Sequence, residues 1–316
     1  TFICGGGSTM GYKLAGFNHL GGVEIDKEVA KVYKLNHDPK YLFNEDIREF
    51  NKRQDLPKEL YSLDLLDGSP PCSTFSIAGV RERDWGKSKQ FREGQAMQTL
   101  DDLVFVYCDT IIKLQPKVFI LENVKGIIQG NAKLYSKNIV KKMTEAGYEV
   151  QVFCLNAASM GVPQKRERVF FIGHKKGLKF KKLKLQFNEE SIPYSELEDI
   201  SDNNENKNID TRTYKGWEKA KVGQCFRDAI GDGGSMFGYT KVRPDSVVRT
   251  VVSNNGTYEW NHRIYRKLNS LEYAQVGTYH LDYDFQTLQP KYLIGMSVPP
   301  VMTAQIANQI YLQWFK

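Results

Sequence analysis

The segment Asp67-Gly68-Ser69-Pro70-Pro71-Cys72-Ser73-Thr74-Phe75-Ser76 places a cysteine directly after two prolines. The apolar run 63–67 reads as a strand leading into it, so the prolines stiffen the chain and hold Cys72 at the carboxyl edge of a sheet. A thiolate is a strong nucleophile where its surroundings lower its pKa. Most lone cysteines are small buried hydrophobes, but Pro-Pro on one side and polar residues on the other suit a core poorly. A second segment, Phe119-Ile120-Leu121-Glu122-Asn123-Val124, ends an apolar strand with an acid and an amide. Glu122 either caps the following turn or offers a carboxyl able to protonate a reacting base. A third, Gln164-Lys165-Arg166-Glu167-Arg168-Val169-Phe170-Phe171, puts Arg166 and Arg168 on one side of a strand by period-two alternation. Arginines so placed bind a base carbonyl or phosphates; the plainer alternative is a solvated strand edge.

A different set of residues suits a nucleotide-like ligand. Cys4-Gly5-Gly6-Gly7-Ser8 falls between a strand and a helix, where glycines let a ligand approach the backbone at the helix N-terminus. The next strand ends at Glu24-Ile25-Asp26, a carboxylate placed to accept hydrogen bonds from ribose hydroxyls. Asp46-Ile47 follows a further short strand. Three successive strand ends with these features favour an adenosine-containing cofactor, without separating a dinucleotide from S-adenosylmethionine.

The elements that must carry these residues alternate. Strands are expected over 20–25, 63–67, 118–121, 148–155 and 169–173, and helices over 10–15, 27–36, 99–114 and 138–146, the pattern of a parallel sheet wrapped by helices. Thr1-Phe2-Ile3 reads as a strand already in progress, which suggests a natural start a few residues earlier. From Lys175 to Lys184 six of ten residues are Lys, Ser201–Asn208 is rich in Asn and Asp, and Gly231-Asp232-Gly233-Gly234 is a turn. This region reads as a small irregular domain, followed by a C-terminal helix over 301–315. A formal charge of +7 over 316 residues suits a polyanionic partner. The five cysteines are scattered, with no C-x-x-C pair or Cys/His cluster, so no metal site is expected and a reducing cytoplasmic compartment is. No apolar run reaches the roughly 18 residues of a membrane span, and no signal peptide is expected.

Together these segments resemble the cytosine-5 DNA methyltransferase family, in order and spacing, over essentially the whole chain. Phe2 to Gly7 is similar to its F-x-G-x-G-G cofactor loop, Pro70-Pro71-Cys72 to its catalytic loop, Glu122-Asn123-Val124 to its E-N-V motif and Gln164 to Arg168 to its Q-x-R-x-R motif. Arg243-Pro244 through Thr250-Val251 resembles the motif closing the recognition region, and Gly295 to Pro300 the terminal G-N-S-V-P motif. Three positions depart from the pattern: Cys4 stands for glycine, Met296 for asparagine and Ser73 for glutamine.

The resemblance implies an α/β fold: a Rossmann-like S-adenosylmethionine-dependent methyltransferase domain over 1–175 plus 286–316, with a target-recognition domain and hinge over 176–285. It implies that Cys72 adds to C6 of a cytosine flipped from double-stranded DNA, while Glu122 protonates or hydrogen-bonds N3. Arg166 would hold the O2 carbonyl, Arg168 would help fix the catalytic loop and base, and Asn123 would position the loops. In the cofactor site Phe2 would pack on the ligand and Gly6 allow its approach. Glu24 would bind the ribose hydroxyls, Asp46 the adenine amino group, with Ile25, Ile47 and Leu103 about the ring and Ser297 and Val298 at the methionine end. S-adenosylhomocysteine would be the product. The basic loop with Arg81, Arg83, Lys87 and Lys89 would close over DNA, and the Lys175–Lys184 cluster would contact phosphates. A monomer of a bacterial or phage restriction-modification system, beside a separately acting endonuclease, is the expected setting. Methylation of tRNA by a sister branch is the alternative, although its Cys-Phe-Thr signature is missing. A DNA-binding protein without transfer activity is a second alternative, prompted by Cys4 and Met296. An NAD-dependent dehydrogenase leaves Pro-Pro-Cys and Glu-Asn-Val unexplained.

Overall fold

The computed structural model describes residues 1–71, 88–89, 98–99, 102–209, 211–231, 236, 238–254 and 256–316. Cys72, Arg81, Arg83, Lys87 and the Lys89 side chain lie outside the described residues, and so does the loop they were expected to form. Two compact units are present, one of Thr1–Leu155, Glu167–Gln186 and Ile306–Lys316, the other of Asn156–Arg166 and Phe187–Gln305.

The first unit begins with α1 (Gly7–Leu14), β1 (Gly21–Val23), α2 (Lys27–His37), β2 (Tyr41–Phe43), α3 (Ile47–Lys52) and β3 (Leu65–Gly68). The two-residue strands β4 (Ser88–Lys89) and β5 (Gln98–Thr99) pair antiparallel. Then come α4 (Leu103–Leu114), β6 (Val118–Val124), α5 (Lys133–Glu145) and β7 (Tyr148–Asn156). After β8 (Gln164–Lys165), which belongs to the second unit, β9 (Glu167–Lys175) returns to the first. Local chemistry sets the boundaries. Asp26 caps α2 by accepting from the Glu28 and Val29 amides, and Asp38 ends the helix in the left-handed region. In β6 every residue from Val118 to Asn123 is buried, as a strand flanked on both edges and covered on both faces requires.

The four-stranded sheet runs β3–β6–β9–β7, with β3 parallel to β6. The all-parallel expectation is corrected at β9, which pairs antiparallel with β6 from Val118↔His174 to Val124↔Arg168. On the helical side α4 buries Leu103, Val104, Tyr107, Ile111 and Leu114, and the Tyr107 hydroxyl reaches the carbonyls of Leu66 and Ile120, joining β3 to β6.

Strands β1 and β2 form a separate parallel pair. Residues 1–3, expected as strand, take no strand conformation: Phe2 has φ 55° and Cys4 φ 47°. A cavity of about 510 Å³ lies between the β1 segment Leu20–Val23 and the β3 segment Leu63–Asp67. None of the expected cofactor residues lines it.

The second unit is better ordered than the irregular domain read from composition. It holds α6 (Arg212–Lys219), α7 (Phe226–Ile230), β10 (Gly238–Lys241), β11 (Val248–Arg249), β12 (Thr257–Trp260), α8 (Ser270–Val276) and α9 (Pro290–Met296). Strands β10 and β12 pair in parallel over a small aromatic core in which Trp260 stacks on Tyr265 at 4.9 Å. The division of the chain also differs from the expected one. Residues 176–186 belong with the first unit because Phe180 stacks on Trp314 at 5.4 Å and the Trp314 indole donates to the Lys181 carbonyl. Residues 286–305 belong with the second because α9 packs on α8, where a Cβ at Gly277 would lie 2.5 Å from Ile294. The C-terminal helix is α10 (Pro300–Ile310), continued by a π-helical turn over Tyr311–Phe315. Among the described residues no helix is long and apolar enough to cross a membrane.

Candidate active site

Six of the nine residues expected to hold a cofactor meet in the first unit, without Gly6, Ser297 and Val298. Phe2, Glu24, Ile25, Asp46, Ile47 and Leu103 line one small cavity of about 30 Å³, together with Val23 and Glu45, which the sequence reading missed. Strand ends put them there: β1 delivers Val23–Ile25, β2 delivers Glu45–Ile47 and the start of α4 delivers Leu103. Val23 and Glu45 carry no motif, and only the position of each next to a recognised strand-end acid could have marked it. The Glu24 carboxylate accepts from the Asp26 amide at 2.9 Å and the Cys4 amide at 3.1 Å. Burial pushes its pKa up, against these two amides, which pull it down. Asp46 caps α3, accepting from the Arg48 amide at 2.8 Å.

Gly6 is the N-cap of α1 at φ 72°, and a Cβ there would lie 2.0 Å from the His37 ring. No other residue fits. Cys4 is the reverse case: its φ of 47° is the left-handed conformation that glycine supplies without strain. Cys4→Gly is therefore expected to stabilise the protein by about 1 kcal/mol, raising Tm by about 2 °C. A Tm unchanged or lowered in a thermal melt would show that Cys4 carries no strain.

Asp67, five residues before Cys72, accepts from the Tyr12 hydroxyl at 2.9 Å. Burial pushes its carboxyl from 3.8 up to about 6, with the Tyr12 bond opposing. Between these values the folded chain holds a proton that the unfolded chain releases, so this group makes stability fall as pH rises from about 4 to 6. Asp67→Asn should remove that fall, and its stability gain over wild type should be larger at pH 7.5 than at pH 4. Equal gains at both pH values in denaturant titrations would refute the linkage.

The reactive residues in the first unit stand on β6 and β9. Glu122 is buried, and Arg168 Nε lies 3.0 Å from its carboxylate, the two brought together by the register Val124↔Arg168. The Asn123 amide donates to the Pro70 carbonyl at 3.2 Å and accepts from the Val124 amide, tying β6 to the segment two residues before Cys72.

The second unit holds Arg166, Ser297 and Val298. Arg166 is 2 % exposed, and its guanidinium donates to Val251 O at 2.9 Å, Gly295 O at 3.0 Å and the Gln164 side chain at 3.4 Å. Gln164 in turn accepts from the Val251 amide and donates to Val276 O. This arginine joins three segments of its own unit. Ser297 is buried, its hydroxyl bonded to Tyr279 and to Leu293 O, and Val298 is buried beside it. The helix that precedes them needs glycine at 295, where a Cβ would lie 2.4 Å from the Ser253 amide nitrogen. Among the described residues no cluster of His, Cys, Asp or Glu could hold a metal.

Two acid-bearing strand ends at a small cavity, with a buried Glu–Arg pair and the Pro70 segment at neighbouring strand ends, lie together in an α/β unit. The sequence model of the C-5 cytosine-specific DNA methylase family matches residues 2–312, and the chain belongs to that family. It is 37% identical to the type II methyltransferase M.FnuDI of Fusobacterium nucleatum over 178 residues, 56% of this chain and 46% of that one. It is 26% identical to the type II methyltransferase M1.HphI of Haemophilus parahaemolyticus over 98% of this chain and 85% of that one. The match to M.FnuDI thus spans about half of that relative's length. Of solved structures, S. pombe Dnmt2 methyltransferase matches with a TM-score of 0.64 at 15% identity, covering 98% of this chain and 96% of that one. A DNMT2 mutant from Spodoptera frugiperda matches with a TM-score of 0.65 at 14% identity, covering 100% and 98%. These likenesses establish the fold.

Proposed function

We propose that the chain methylates C5 of cytosine in double-stranded DNA, with S-adenosylmethionine as donor and Cys72 as nucleophile. The observation that carries this reading is the meeting of three motifs at adjacent strand ends. Asn123 holds Pro70, two residues before Cys72, and the neighbouring Glu122 is paired with Arg168. The cavity residues suit the donor's adenosine: carboxylates from Glu24 and Asp46 for hydroxyl and amino groups, and apolar walls from Phe2, Ile25, Ile47 and Leu103. At about 30 Å³ the space holds about one water, so entry of an adenine requires these side chains to part. S-adenosylmethionine, when bound, supplies an electrophilic methyl group on a sulfonium.

C5 of cytosine is too weak a nucleophile to take that methyl directly, and covalent addition divides the problem. Cys72 forms a bond from sulfur to C6, and the displaced electron pair is accommodated in the ring, where Glu122 protonates or hydrogen-bonds N3. With the donor held by the cavity residues, its methyl group would pass to C5 and S-adenosylhomocysteine would remain. Loss of the C5 proton to water restores the ring and expels the Cys72 thiolate. Arg168, which already touches Glu122, is the arginine we assign to the base O2 carbonyl, while Arg166 supports the framework. The names of the relatives favour a restriction-modification setting with a separate endonuclease.

The test is transfer of radiolabelled methyl from S-adenosylmethionine to sequence-diverse duplex DNA and, separately, to tRNA, with nucleoside analysis of the product. Label in 5-methyldeoxycytidine is the expected result. Label confined to tRNA, or DNA binding with no transfer, would reject the reading.

A further inference from the structure

Two walls of the proposed adenosine seat come from distant parts of the chain, Asp46 and Ile47 at the start of α3 and Leu103 at the start of α4. Arg48 joins them. Its Nη1 lies 3.2 Å from Asp46 Oδ2 and its Nη2 2.6 Å from Asp102 Oδ1. Asp102 occupies the N-cap position of α4 but makes no side-chain cap bond there, and its carboxylate faces Arg48 instead. Further along, Asn51 donates to Val106 O at 3.1 Å and accepts from Thr110 at 2.9 Å, while Lys113 donates to Asn51 O. Helices α3 and α4 are thus joined towards their C-terminal ends by Asn51, Thr110 and Lys113, and at the cavity by Arg48.

We propose that Arg48 is a positioning residue for the nucleoside part of the donor, a strut that orients the Asp46 carboxylate and fixes the spacing between Ile47 and Leu103. The proposal rests on the reading of this cavity as the adenosine seat. The shape of the side chain matters: a planar guanidinium reaches two carboxylates at once, whereas a lysine ammonium is a single point charge on a flexible stem. The network is 28 % exposed at Arg48 and more so at Asp102, so its contribution to folding is small. Its effect falls on the geometry of the two walls, and therefore on ligand affinity.

The experiment is a double-mutant cycle read by calorimetric binding of S-adenosylhomocysteine to the wild-type chain, Arg48→Met, Asp102→Asn and the double variant, with ligand-free thermal melts alongside. Each single variant should lose about fivefold in affinity, and the double variant should lose no more than either single. Ligand-free Tm should stay within about 2 °C. Arg48→Lys, which keeps the charge, should recover only part of the loss and serves as the readout if Arg48→Met does not fold. Unchanged affinity in Arg48→Met or Arg48→Lys, or losses that add in the double variant, would overturn the strut. Absence of binding to the wild-type chain would overturn the adenosine seat itself.

Discussion

Duplex DNA carrying 5-fluorocytosine in place of cytosine is expected to become covalently attached to Cys72 when S-adenosylmethionine is present. Once sulfur has added to C6 and the methyl to C5, release of the enzyme needs a proton at C5, and fluorine cannot leave as one. The adduct should survive denaturing electrophoresis and map by peptide sequencing to the segment containing Cys72. In the companion experiment Cys72→Ser should lower turnover on ordinary DNA by about four orders of magnitude or more, since the remaining site can bind but cannot divide the reaction. Affinity for S-adenosylhomocysteine should be retained, because the role proposed for the thiol is attack on the base and not binding of the donor. An adduct on Cys4, Cys154 or Cys225 would sink the assignment. No adduct on DNA that the protein demonstrably binds, with cofactor binding confirmed, would reject the covalent mechanism.

The acids at the small cavity are legible in the sequence because strand ends are. An apolar run followed by an acid, repeated at Glu24 and Asp46, marks side chains at the carboxyl end of a strand, and both line one small cavity. The departure at Cys4 was visible too, although its consequence, a positive φ on a residue with a Cβ, needed the backbone. What the sequence could not supply was long-range pairing. The lysines of 175–184 looked like part of a recognition domain by composition, yet the aromatic residue among them, Phe180, is packed on Trp314 near the C-terminus. The antiparallel turn of β9 against β6 was hidden for a similar reason, since an apolar run reads the same in either direction. Arg48 carries no signal in the sequence, because an Asp-Ile-Arg run looks like an ordinary helix start and its second partner lies 54 residues away.

The two arginines of the Gln164–Arg168 segment should separate sharply by phenotype. Period-two alternation puts them on one side of a strand, but the strand is interrupted between them: β8 ends at Lys165 and β9 starts at Glu167. Arg166, at the break, is 2 % exposed and gives its donors to Val251 O, Gly295 O and Gln164. Arg166→Met strips buried acceptors of a charged donor and should cost about 3 kcal/mol of stability. The loss should show in denaturant unfolding and in the Tm before any ligand is added. Arg168 is different. Its removal leaves the buried Glu122 carboxylate without its 3.0 Å partner, so Arg168→Met also destabilises, but the larger effect is expected in catalysis. Under conditions where the variant remains folded, kcat should fall by at least about a hundredfold, and Arg168→Lys should restore part of it by returning a positive charge beside Glu122. If folded Arg166→Met loses as much kcat as Arg168→Met while its Tm is unchanged, then Arg166 is the base contact and the framework assignment fails. If folded Arg168→Met keeps full turnover, the Glu122–Arg168 pair is structural and the base carbonyl must be held elsewhere.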